Sequence, residues 1–157
     1  MSDELTHTEG GNAQMVDVGE KPSSRRRAVA AGEIRLQADT IEAVRTDTLE
    51  KGDVLSTARI GAIQAAKQTW SAIPLCHQIP ITNIDTDFGI EEDRITLTVA
   101  VETIGQTGCE MEAIHAVATG LSVIWDMVKA AEKAPDGTYP STEMGAIRVL
   151  DKQKEPR

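Results

Sequence analysis

Apolar positions change their spacing several times along this chain, and each change marks an element. Residues 1–14 are polar, Gly-containing and without pattern, and read as a mobile tail. Met15-Val16-Asp17-Val18 is the first apolar segment, and Lys21-Pro22-Ser23-Ser24 punctuates it. Arg25-Arg26-Arg27 then leads into Ala28–Gln37, where Ile34 and Leu36 alternate with Glu33 and Arg35, the period of a strand with one buried face. Ile41, Val44 and Thr48 give Thr40–Leu49 the spacing of a short helix ending before Gly52. Asp53 is suited to cap a longer helix to Ala72, with Val54, Leu55, Ala58, Ile63, Ala66 and Trp70 as its apolar set and Pro74 as its stop. Over 80–101 the period falls to two: Ile84, Ile95, Leu97, Val99 and Val101 alternate about a charged turn at 91–94, as in a β-hairpin. Gly105-Gln106-Thr107-Gly108 breaks that pattern. The strongest helix follows over Ala113–Ala131, with Ile114, Val117, Leu121, Ile124, Trp125 and Val128 on one stripe. The prolines and glycines of Ala134–Gly145 make a loop, and Ala146–Leu150 is a last short strand.

Strand, helix, helix, hairpin, helix, strand predicts an antiparallel sheet with helices packed on one face, an α+β fold. The 157 residues fit one domain over 15–151, between the tail at 1–14 and a charged tail at 152–157. With four aromatics in all, Ile, Val, Leu, Met and Ala must build the core. Charge narrows the partners: 16 Lys and Arg against 25 Asp and Glu give −9, a surface that repels nucleic acid and anionic membranes. No apolar run reaches the roughly 18 residues of a bilayer span, and the first residues lack the features of a secretory signal. Cys76 and Cys109 form neither a disulfide framework nor a zinc spacing, and fit reduced thiols of a cytoplasmic protein.

Three places carry polar groups that the fold does not require. Lys51-Gly52-Asp53 precedes the long helix; it reads as a loop with an N-cap or as an anion site at a helix start. His77, after Ile73-Pro74-Leu75-Cys76, is either a solvated loop histidine beside a buried thiol or a group that titrates and meets a ligand. Further metal ligands at metal spacing are missing around that pair. In Gly108-Cys109-Glu110-Met111-Glu112, extended backbone would point both carboxylates to one side, where they suit the N–H edge of a guanine or pterin. Glu110 equally suits the helix dipole. Asp126 and Lys129, three apart amid apolar residues, are either a surface bridge or an acid/base couple with pKa values moved by desolvation. Asp126 lies 14 residues beyond Glu112, about 21 Å along a helix. One small substrate reaches both only if two subunits contribute, which predicts a homo-oligomer.

Taken together, Met15-Val16-Asp17-Val18, Lys51-Gly52-Asp53-Val54, Thr57-Ala58-Arg59-Ile60, Gln64-Ala65-Ala66-Lys67, Ile73–His77, Gly108–Ala113 and Asp126–Ala130 resemble the cyclic pyranopterin monophosphate synthase family, molybdenum-cofactor biosynthesis protein C. The resemblance covers residues 15–151. It implies a ferredoxin-like sheet, a homohexamer built as a trimer of dimers, and active sites between subunits. It also implies a lyase reaction: 3′,8-cyclised dihydro-GTP becomes cyclic pyranopterin monophosphate with loss of diphosphate. Asp126 would be the principal catalytic residue, Lys129 its acid/base partner and Lys51 a third catalytic group. Leu75, Cys76, His77, Glu110, Met111 and Glu112 would contact substrate, and Lys67 would hold the triphosphate. No cofactor is firmly implied, and Mg²⁺ beside the triphosphate is left open. Arg25, Arg26 and Arg27 would either help hold the triphosphate or form a solvated lead into the strand, the reading that a charge run favours.

Two departures stand out. Family members commonly follow the last strand with a Gly-Gly-Lys-Ser-Gly-like segment, where this chain has Asp151-Lys152-Gln153-Lys154-Glu155. Between Ala131 and Ile147 its loop is longer than in compact members; it either covers a site or contacts a neighbour, or is a tolerated surface insertion, the favoured reading. The rival readings are a ferredoxin-like module that binds a purine or pterin nucleotide without changing it, and a structural partner in a cofactor-building complex.

Overall fold

A computed structural model describes residues 8, 9 and 11–156. In chain order it contains β1 (Thr8–Glu9), β2 (Asn12–Ala13), β3 (Ser24–Arg35), α1 (Ala38–Arg45), α2 (Val54–Lys67), α3 (Thr69–Ala72), β4 (Ile81–Ile90), β5 (Arg94–Gly105), α4 (Glu110–Glu132) and β6 (Glu143–Pro156). The four long strands form one antiparallel sheet in the order β4-β5-β3-β6, the ferredoxin-like arrangement, and β1 pairs with β2 separately.

Alternation builds the sheet's inner face. Ala28, Ala30 and Ile34 of β3 and Ile95, Leu97, Val99 and Val101 of β5 are all fully buried. Each larger side chain so removed from water contributes about 1.5–3 kcal/mol. Against this face lie Ala58, Ala62 and Ala66 of α2 and Ala116, Leu121, Ile124 and Val128 of α4. Small residues let the layers approach: a Cβ at Gly120 would sit 2.5 Å from Leu97 Cδ2 and 3.3 Å from Ala62 Cβ. On the outer face charges pair instead, Arg94 with Glu33 at 3.0 Å and Arg27 with Glu102 and Asp151 at 3.7 and 3.8 Å. Among the described residues the methionines do not share in the core; Met127 and Met144 only border it.

Several boundaries differ from those the pattern predicts. Where residues up to 14 read as unpatterned, Asn12–Ala13 pairs with Thr8–Glu9; residues 1–7 and 10 lie outside the described residues. The strand predicted from Ala28 starts at Ser24, so all three arginines lie within it. The first helix ends at Arg45, where Thr46 Oγ1 donates to Glu42 O and Asp47 takes a φ of 52°. Asp53 does cap α2, accepting from Ser56 N at 2.9 Å. That helix stops at Lys67, however, and Trp70 on the one-turn α3 is 46% exposed rather than part of the core. Helix α4 begins three residues early, at Glu110. The last strand runs on through the residues read as a charged tail, its ladder with β3 extending from Glu143 opposite Arg35 to Pro156 opposite Ser24. Two irregularities interrupt that ladder, one opposite Gly32, where Ile147 fills the space a Cβ would take.

By length and composition α4 is long and apolar enough to cross a membrane. It is instead a core helix: its stripe Ala113, Val117, Leu121, Ile124 and Val128 is buried, and its other faces carry Glu110, Asp126 and Lys129.

Candidate active site

Helix α4 holds a polar cluster near each end. At its start Leu75, Cys76, His77, Met111 and Glu112 line one cleft of about 310 Å³, with Val16, Val18, Lys21, Thr107 and Gly108. The loop side chains arrive there because Ile73 O accepts from Cys76 N at 3.1 Å, closing a turn with Pro74 at its first central position. His77 Nε2 lies 2.7 Å from Val16 O. A carbonyl only accepts, so Nε2 carries the proton and Nδ1 is the nitrogen left to a ligand.

The two glutamates do not point together, as extended backbone would have it. Both are helical, and two positions on a helix turn the side chain by about 200°. Glu112 faces inward and is 4% exposed. Burial, with Glu110's charge as a lesser contributor, pushes its carboxyl up to about 7, against a helix-start amide that lowers it. Burial also draws the Glu110 carboxyl upward, but Lys152, a backbone amide and the Arg26 charge outweigh it and hold the group below the usual range. Lys152 Nζ lies 2.5 Å from Glu110 Oε1. Burial raises both thiols, with Glu112 adding its charge; Cys109 reaches about 11 and donates to Val101 O at 3.2 Å. Cys76 therefore meets the cleft as a neutral thiol.

At the far end Asp126 is bracketed by two ammonium groups. Lys129 Nζ donates to Asp126 Oδ1 at 2.7 Å; Lys51 Nζ donates to the Asp126 carbonyl at 2.8 Å and to Oδ2 at 3.3 Å. The Lys129 hydrogen bond, then that of Lys51, holds the carboxyl below its ordinary range, and Asp126 in return raises Lys129. Pairing therefore moves these groups, where the sequence suggested desolvation, for all three side chains are well exposed. Exposed pairs of this kind contribute little to folding, so the cluster has no evident structural duty. One carboxylate between two cations leaves a net positive spot on an acidic protein.

Lys67 joins neither cluster. It is exposed at the end of α2, over a shallow recess lined by Ile63, Ile81, Thr82, Asn83 and Ile84. Three further basic residues stand at or near the cleft instead, and of these the sequence offered only Arg26. Lys21 lines it, and Lys152 holds Glu110. Arg26, whose charge Glu110 feels, donates to Gln106 O at 3.2 Å while its buried Nε is unpaired. Alternation along β3 was the available signal, since it turns Arg26 to the same side as buried Ser24 and Ala28. Among the described residues, no three His, Cys, Asp or Glu side chains gather as a metal site.

Known proteins resemble this chain over nearly its whole length. The model of the MoaC family matches residues 15–155. A probable cyclic pyranopterin monophosphate synthase of Natronomonas pharaonis is 62% identical over 157 residues, 98% of each chain. Its counterpart in Halobacterium salinarum is 61% identical over 153 residues, covering 97% of this chain and 94% of its own. One from Pyrococcus furiosus is 48% identical over 98% of both chains. Matched from its first apolar segment to the next-to-last residue of β6, the chain belongs to the MoaC family.

Proposed function

We propose that the two clusters on α4 are complementary halves of one active site, joined when subunits associate. The reaction is that of a cyclic pyranopterin monophosphate synthase in molybdenum-cofactor biosynthesis. Its substrate is (8S)-3′,8-cyclo-7,8-dihydroguanosine 5′-triphosphate and its second product is diphosphate. One observation carries the two-subunit reading: cleft and lysine cluster ride one unbroken helix, from Glu112 to Asp126, and are held about 21 Å apart. The expected assembly is the homohexamer of three dimers, working in the cytoplasm.

The cleft suits the base. Glu112, with a carboxyl near 7, exchanges a proton with ring nitrogens at neutral pH. Glu110 stays ionised beside Lys152 and can accept from an N–H edge. Leu75 and Met111 offer apolar contact, with Cys76 and His77 at the rim. Lys51 and Lys129 suit the triphosphate and the protons. Opening the five-membered ring needs a donor, and Lys129, held above its ordinary range, is one. Closing the cyclic phosphate needs an oxygen of the substrate to attack phosphorus, losing its proton while the bond to diphosphate breaks; Asp126 is the ionised group placed to receive that proton. Lys67, Lys21 and Lys152 add positive charge for the approach of an anion.

Incubation with the cyclised nucleotide, following diphosphate and a fluorescent pterin, tests the assignment. Wild type is expected to form both, and Asp126→Ala and Lys129→Ala neither at a comparable rate. Mixing inactive Asp126→Ala with inactive His77→Ala under conditions of subunit exchange should restore activity, because mixed assemblies hold some intact sites. A strictly monomeric active enzyme, or no recovery in mixtures shown to be mixed, refutes the shared site.

A further inference from the structure

The loop over 133–142, which the sequence leaves as a surface insertion or a cover for a site, is fastened to the end of α4 that carries Asp126 and Lys129. Its turn is closed by Ala134 N to Thr138 O at 2.8 Å and Gly137 N to Ala134 O at 2.9 Å, with Gly137 at a φ of 86° that favours glycine. Asp136 Oδ1 accepts from Thr138 N and Oγ1 at 2.9 and 2.6 Å. The loop is then fastened to the body of the protein. Thr142 Oγ1 donates to Glu132 Oε2 at 2.7 Å, and the other oxygen of that carboxylate accepts from Gln37 N at 2.9 Å. Glu132 is 1% exposed, so this clamp is enclosed. A tolerated insertion has no use for a buried carboxylate holding its end.

What the clamped loop presents is Tyr139. Its ring stands edge-on to Trp125, centroids 5.5 Å apart and planes at 67°. Trp125 neighbours Asp126 in sequence and lies one turn below Lys129, and residues four apart on a helix share a face. The half-buried tyrosine thus packs on the residue one helical turn before a lysine whose exposed, four-bond side chain would otherwise sample many rotamers. The geometry points to Tyr139 as a positioning residue: seated on Trp125 by the clamped loop, its ring bounds the space of the Lys129 side chain and keeps the ammonium on Asp126. Tyr139 also contributes to raising Lys129, after the larger contribution of Asp126, which agrees with this placement. The inference rests on reading Asp126 and Lys129 as the reaction's acid and base.

The test compares Tyr139→Ala, Tyr139→Phe and Asp126→Ala at matched folded concentration, with kcat and KM for the cyclised nucleotide measured separately. Removing the ring should lower kcat about tenfold with KM nearly unchanged, and phenylalanine should restore wild-type values. Because Tyr139→Ala can loosen the fold, Thr142→Val serves as a second variant that releases the clamp and leaves both rings in place. It should lower kcat in the same direction and less. Wild-type kcat per folded enzyme in both Tyr139→Ala and Thr142→Val, with Asp126→Ala inactive, overturns the role of Tyr139 and leaves the acid/base pair standing. An active Asp126→Ala overturns the underlying pair itself. Should Tyr139→Phe be as slow as Tyr139→Ala, the hydroxyl touches substrate and the positioning role is wrong.

Discussion

Replacing Glu112 by glutamine keeps the side chain's shape and removes its charge, and the effect on stability should depend on pH. In the unfolded chain this carboxyl loses its proton near 4.5; in the folded protein it does so at about 7. Between those values the folded state holds more protons than the unfolded one, so stability falls as pH rises, and the loss is complete above about 7. At 1.36 kcal/mol for each pH interval of one, the whole cost is roughly 3 kcal/mol. Glu112→Gln escapes it. Near pH 4.5 the two proteins should melt alike, whereas at pH 8.5 the variant should melt roughly 6–12 °C higher. The assay is thermal or guanidinium unfolding across that range at fixed salt and protein concentration. A gap that is constant with pH, or a wild type more stable at pH 8.5, refutes the argument that the folded protein buries a costly carboxylate. The variant should also lose activity, which separates the group's use from its cost.

Other outcomes follow from single contacts. Gly120→Ala places a methyl against Leu97 and Ala62 and should lower stability by about 1–3 kcal/mol, read from unfolding curves; an unchanged midpoint would mean that the layers part easily. With iodoacetamide at pH 7.5, Cys76 should react slowly and Cys109 only after denaturant is added, since burial keeps both thiols protonated; mass spectrometry that finds Cys109 labelled in folded protein contradicts this. Lys152→Gln should raise KM for the cyclised nucleotide several-fold by freeing Glu110, and an unaltered KM removes Lys152 from the site. The −9 charge should make the melting temperature rise between dilute buffer and 1 M salt as self-repulsion is screened, and a flat response refutes that role for the acidity.

Where burial enforced a period, the chain was readable. Strands β4 and β5 and their turn were plain because Ile95, Leu97, Val99 and Val101 face one way; the stripe of α4 and the cap at Asp53 were as plain. Strand β6 was foreshortened because nearly every residue on it is exposed and its sequence follows no buried face. What places it is pairing with β3, a partner far away in sequence. The same distance hid Lys152 from Glu110. The start of α4 was read three residues late because Cys109 makes no side-chain cap; of the two readings of Glu110, the charge at a helix start fits and the extended backbone does not. The cleft residues Leu75–His77 and Met111–Glu112 did come together, while Lys67 did not join them.

A helix without a break has a consequence for inheritance. If each subunit lends the two ends of α4 to two different sites, a variant that abolishes both ends spoils two sites in the assembly while leaving the partners' own chains intact. In a cell expressing good and bad copies together, activity would then fall faster than the fraction of bad copies rises. Two copies damaged at opposite ends of the helix could, between them, still make product.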